Sequence, residues 1–201
     1  MRHSARILVS FVFLLVGGLS ALPAWALESP GDALTRAYDV MLNSRGVIDS
    51  VATDADGKPS RSRIEFDTLK RMRMTSDETS MIMTPEGTWM RSGKSDWIQP
   101  PIDMSAMFDR LLPASREALR TGTTNLRDEG MQSVEGVDLR AISYDMSTKV
   151  MGITVTSHNT TYLDSAGRVV RTVSDGEAMG NKTHSVQTIR YDDSIRVTAP
   201  D

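Results

Sequence analysis

Between Lys70 and Arg91 the chain reads KRMRMTSDETSMIMTPEGTWMR, with methionine at positions 72, 74, 81, 83 and 90. Met72 and Met74 alternate with Arg71, Arg73 and Thr75, and Met81 and Met83 flank Ile82. A period of two is that of a β-strand with one apolar face. The two strands this predicts are followed by a hairpin, in which Pro85 suits the second position of a type I turn and Gly87 a left-handed position after it. A three-residue loop sets Met83 opposite Trp89 on one face. A two-residue loop is expected to set it opposite Met90 instead, so the register is open at this point. Either way the apolar face is built from methionine. Its three rotatable bonds and polarisable sulfur suit a wall that accepts varied apolar partners. A core with a single packed state favours Leu, Ile and Val.

Outward from this stretch the period stays at two. Upstream, Ser62, Ile64, Phe66 and Thr68 alternate with Arg61, Arg63, Glu65 and Asp67 in a half-buried strand, preceded by the turn DADGKPS (Asp54–Ser60) and a strand beginning near Val47. Before that, Ala33, Leu34, Ala37, Tyr38, Met41 and Leu42 form a stripe of period 3.6. Ser29 or Asp32 is placed to cap this helix and Gly46 to end it. Downstream, Trp97 and Ile98 follow the turn SGKSD, and Pro100-Pro101 breaks the sheet. A short helix carrying Met104, Met107, Phe108, Leu111 and Leu112 is expected between Asp103 and Pro113. Ala114–Glu129 is polar with weak periodicity and reads as a helix-containing or mobile connection. The last third alternates again, with turn signals at DSAG (Asp164–Gly167) and GEAMGN (Gly176–Asn181). Eight to ten strands, one early helix and one or two short middle helices make an α+β domain, a large antiparallel sheet whose apolar face needs a cover.

The first 26 residues read as an export signal. Arg2 and Arg6 precede the ten-residue apolar run Ile7–Val16, and Ala24-Trp25-Ala26 offers a small-x-small cleavage pattern. The run is too short to span a bilayer comfortably. The expectation is a single domain over residues 27–201, exported to the periplasm without a membrane anchor. The leader holds two of the 23 Lys and Arg and none of the 26 Asp and Glu, so the remainder carries a net charge of −5. That balance argues against nucleic acid as a partner. Cysteine is absent, which excludes disulfides, thiolate metal sites, Cys nucleophiles and a lipid-modified N-terminal cysteine.

No catalytic motif stands out: there is no GxSxG, HExxH, phosphate-cradling glycine loop or Ser-x-x-Lys. His158 and His184 sit among alternating Thr and Ser and read as exposed strand residues. Asp192-Asp193 reads as a turn between two strands. No enzymatic activity and no cofactor are assigned. An alternative use of the methionines is metal binding, because thioethers select Cu(I), and Met72/Met74, Met81/Met83 and Met104/Met107 each share a face.

Several segments in order resemble the LolA/LolB-like superfamily of periplasmic lipoprotein and lipid carriers, which also includes LppX/LprG-type proteins and an RseB-type sensor domain. The helix DALTRAYDVMLNS precedes a strand and RIEFDTLKRMRM. ETSMIMTPEGTWMRSGKSDWIQPP resembles a hairpin followed by the helix matched by MSAMFDRLL. VEGVDLRAISYDM, TYLDSAGRVVRTV and YDDSIRVTAP resemble the later strands and the terminal segment. The resemblance implies an incomplete antiparallel barrel, a half-barrel wrapped around one or two helices, whose concave face takes a lipid or a lipoprotein acyl chain. Met72, Met74, Met81, Met83 and Trp89 are then expected on the concave face, with Met107, Phe108 and Leu111 covering it. A sensor or scaffold that binds an envelope protein in the same groove is the remaining alternative.

Overall fold

The computed structural model describes residues 28–68, 71–100, 121–150 and 153–200. The chain opens with helix α1 (Pro30–Leu42). Ser29 caps it by accepting from the Asp32 amide at 3.2 Å, and Pro30 occupies the first turn, where its missing N–H costs nothing. The helix ends on Asn43, not on the glycine expected to stop it. Gly46 belongs instead to β1 (Arg45–Asp54).

Nine more strands follow: β2 (Pro59–Asp67), β3 (Met72–Ser76), β4 (Thr79–Thr84), β5 (Gly87–Ser92), β6 (Thr123–Val134), β7 (Val137–Val150), β8 (Ile153–Leu163), β9 (Val169–Ala178) and β10 (Asn181–Tyr191). All ten form one antiparallel sheet in the order β5-β4-β3-β2-β1-β10-β9-β8-β7-β6. It consists of two five-strand meanders zipped together where β1 pairs with β10. The sheet does not close, and α1 lies on its inner face, as a half-barrel with a covering helix requires. Thr123–Val134 is a strand, which corrects the reading of Ala114–Glu129 as a connection. It misled because it is an edge strand with eight of its twelve residues exposed and none buried, so no apolar alternation marks it.

Both edges are protected against pairing with another chain. Strand β6 carries two register shifts, between Thr124 and Arg127 and between Asp128 and Gly130. Beyond β5, Met90 and Ile98 exchange both backbone hydrogen bonds at 2.9 Å. Asp192 and Asp193 form a turn after β10, where the Asp192 carboxylate accepts from the Ser194 amide and hydroxyl, and no strand follows among the described residues.

The inner face holds the core. Ala33, Leu34, Ala37, Tyr38 and Met41 of α1 pack on Ile48, Phe66, Met72, Met83, Ile142, Tyr144, Leu163, Val169 and Ile189. A chain of buried hydroxyls fastens the helix to the far meander. Tyr38 and Tyr144 meet at 3.2 Å, Tyr144 and Thr161 at 3.2 Å, and Thr161 and Thr172 at 3.4 Å. Burial, with Tyr38 beside it, pushes the Tyr144 hydroxyl well above the usual phenol range.

Two arginine–carboxylate pairs tie loose ends to the sheet. Arg140, itself almost wholly buried, donates to Asp128 of the edge strand and to the Glu28 carbonyl just before α1. Arg45 bonds Asp67 across β1 and β2. Each arginine holds its partner carboxyl below the usual range, chiefly through its hydrogen bond. A carboxyl depressed in the folded state stabilises the fold above the ordinary Asp pKa of about 3.9, and that contribution is lost as pH falls further. The urea midpoint is therefore expected to hold from neutrality to about pH 5 and to drop below about pH 4. Asp67→Asn should flatten that acid limb.

Gly46 sits where Phe66 crosses β1. A Cβ there would lie 2.2 Å from the Arg190 carbonyl oxygen and 2.9 Å from the Phe66 ring. Phe66→Ala, which empties a fully buried site, should cost about 3–5 kcal/mol in urea unfolding. Gly46→Ala should cost at least about 1–3 kcal/mol, because backbone has to move.

Candidate functional site

The register resolves the hairpin left open by the sequence. Thr84 pairs with Gly87, so the loop has two residues, Pro85 and Glu86. Thr84 accepts from the Glu86 amide at 3.2 Å, and Gly87 takes the last position of the turn, which type I turns favour. Met83 therefore faces Thr88, neither Trp89 nor Met90, and Met81 faces Met90. Trp89 pairs with Ile82 on the opposite face of the sheet. It leaves the concave wall, and Met90, which the sequence reading had not chosen, takes its place. Gly at the fourth position of T-P-E-G was the signal that favoured the shorter loop. Met107, Phe108 and Leu111 lie outside the described residues, as do the expected leader and the helix meant to carry these three.

Met72, Met74, Met81 and Met83 all point inward and form two rows with their cross-strand partners. In the first, Tyr191, Gly46, Phe66, Met72, Met83 and Thr88 follow one another from β10 to β5. In the second, Ile189, Ile48, Ile64, Met74, Met81 and Met90 do the same. The second row is apolar at every position across six strands. Five interstrand steps of about 4.8 Å give it a length of about 24 Å.

The next row along the strands changes character at once. Thr172, Gln187, Ser50, Ser62 and Ser76 stand in line, and beyond them Ser174, Ser185, Ala52 and Ser60. These are small, mostly hydroxyl-bearing side chains about 6.6 Å further along each strand. The inner wall is thus apolar near the helix and polar beyond it, with a sharp border. Met72 and Met83 are buried, whereas Met74, Met81 and Met90 are half-buried. The helix lies closest to β6 and β9, in the other meander. The methionine end of the second row is therefore the part of the apolar wall with the thinnest cover among the described elements.

Across β10, β1, β2 and β3 the outer face is charged and cross-linked, whereas on β4 and β5 it carries the buried Ile82 beside Trp89. Arg63 and Arg190 both reach Asp49, and Arg73 pairs with Glu65. His158 and His184 are exposed, as their context suggested, but each has a carboxylate: Nδ1 of His158 meets Asp145 and Nδ1 of His184 meets Asp175, both at 2.7 Å. Hydrogen bonds from Asn125 first and His158 second hold the Asp145 carboxyl low. No group of three or more His, Asp or Glu suited to a metal ion occurs among the described residues. No described helix is long and apolar enough to cross a membrane.

No family model matches the sequence, and no curated protein is significantly similar to it. Solved structures do match. LprF from Mycobacterium bovis is 11% identical, with a TM-score of 0.53 over 85% of this chain and 96% of its own. The lipoprotein LppX from Mycobacterium tuberculosis is 12% identical, with a TM-score of 0.54 over 84% of this chain and 98% of its own. The chain therefore shares the fold of LprF and LppX.

The absence of native cysteine allows a direct check of the register. Because the Met90 backbone bonds Ile98 on its other side, Met81 and Met90 form a non-hydrogen-bonded pair with Cα atoms about 4.5 Å apart. Met81→Cys with Met90→Cys should form a disulfide on mild oxidation. Met83→Cys with Trp89→Cys should not, since these side chains leave opposite faces. A gel-shift assay reads both.

Proposed function

We propose that this chain is an exported, periplasmic, non-enzymatic carrier that holds a lipid or a lipoprotein acyl chain against the inner wall of its half-barrel. The observation that supports this most is the unbroken row Ile189–Ile48–Ile64–Met74–Met81–Met90, bordered by serine and threonine rows. A hydrocarbon chain laid along the apolar row gains roughly 0.8 kcal/mol for each methylene taken from water. The hydroxyl rows beside it can solvate a polar headgroup or ester. Methionine at the thinly covered end suits chains of differing length and saturation, because its side chain re-packs at little cost.

The test is native mass spectrometry of protein purified from the periplasm without detergent, followed by binding of a fluorescent fatty acid. Wild-type protein should carry lipid-sized adducts, and Met81→Lys, which sets a charge in mid-row, should weaken fatty-acid binding at least tenfold. Empty wild-type protein that also ignores fatty acid and lysophospholipid would overturn the reading.

A further inference from the structure

The corrected register brings together something the sequence pairs do not. Met74, Met81 and Met90 come from three different strands and stand directly side by side. Met81 and Met90 form the close, non-hydrogen-bonded kind of pair, with Cα atoms about 4.5 Å apart. Alternation along β4 then makes Met74 and Met81 the hydrogen-bonded kind, about 5.5 Å apart. All three side chains leave the same face, all are half-buried, and Ile64 closes the row on the β2 side. Two further thioethers, Met72 and Met83, lie in the adjacent, buried row.

We infer that the Met74–Met81–Met90 row is a binding site for a soft monovalent cation, Cu(I) or its analogue Ag(I). Three neutral sulfurs on adjacent strands supply a trigonal donor set, and three torsions per side chain let them converge from these spacings. Thioethers favour Cu(I) and offer nothing to Mg²⁺ or Ca²⁺, which require oxygen. The surroundings set the charge. No carboxylate or imidazole joins the row, which is flanked by the apolar Phe66–Met72–Met83 row on one side and by neutral hydroxyls on the other, so a single positive charge is far less costly to desolvate there than a double one. The site does not depend on lipid binding, although a bound ion would occupy the thinly covered end of the same wall. The pairs within one strand, Met72/Met74 and Met81/Met83, are not themselves the site. In each pair one member is buried, and the third donor comes from β5.

The test is an anaerobic titration of the full chain with Cu(I) in competition with a chromogenic chelator such as bicinchoninate. One Cu(I) per chain should be retained. Met74→Leu, Met81→Leu and Met90→Leu should each lower the affinity at least tenfold, and the triple variant should abolish retention. Met131→Leu and Met179→Leu, at exposed methionines outside the row, should leave it unchanged. Far-UV circular dichroism and thermal melts confirm that the leucine variants fold, since Leu and Met exchange at small cost. Failure of wild-type protein to hold Cu(I) or Ag(I), or undiminished binding by the folded triple variant, would overturn the assignment. Neither result bears on whether the same wall takes an acyl chain.

Discussion

The pairing of β1 with β10 is the constraint on which everything else depends. Nine residue pairs, from Gly46 with Tyr191 to Asp54 with Thr183, join the first strand to the last. Each meander is local in sequence and forms from neighbouring hairpins. Zipping β1 to β10 sets Ile48 against Ile189 and so extends the apolar row of the first meander onto the second. It also brings Gly46 beneath Phe66 beside the Arg190 carbonyl, a crossing with no room for a Cβ. The contact is remote in sequence, and its loop-closure entropy has to be met before the two meanders share one wall. The arginine–carboxylate pairs at Asp67 and Asp128 then fasten the ends that the ladder leaves loose.

From that seam the division of labour across the sheet follows. The β6–β9 half takes the helix, held by the hydroxyl chain from Tyr38 to Thr172. The β2–β5 half carries a wall rich in methionine, half-buried at Met74, Met81 and Met90. A wall closed permanently by a helix rewards side chains with few rotamers, whereas one that meets changing partners rewards soft ones. The buried hydroxyls and the flexible thioethers are thus two solutions on one surface. The first fixes a helix and the second gives a surface that re-packs easily. Serine and threonine beyond the apolar rows make the wall amphipathic along the strands, a gradient suited to a molecule with one greasy end and one wet one.

Much of this was legible in the residues. Period-two alternation marked most strands, the Ser29 cap and its apolar stripe marked the helix, and the inward direction of Met72, Met74, Met81 and Met83 followed from their spacing. What was not legible is tertiary. A strand's own pattern tells which side chains share a face but not which residue of the next strand stands beside them. Here one residue of loop length moved Trp89 outside and Met90 inside. Strand β6 was hidden for a related reason: an edge strand with few apolar side chains and two register shifts loses the alternation that reveals strands. The carboxylate partners of His158 and His184 were equally invisible, since Asp145 and Asp175 reach them only through cross-strand register.

The central claim is that the half-buried methionines of the inner wall are where this molecule meets its ligand. Carbon-13 labelling of the methionine methyl groups, with spectra recorded during titration with a long-chain fatty acid, tests it most directly. The account predicts that the Met74, Met81 and Met90 methyls shift together and saturate, while the exposed Met131 and Met179 methyls stay where they were. Unmoved inner methyls, or shifts confined to Met131 and Met179, would contradict it.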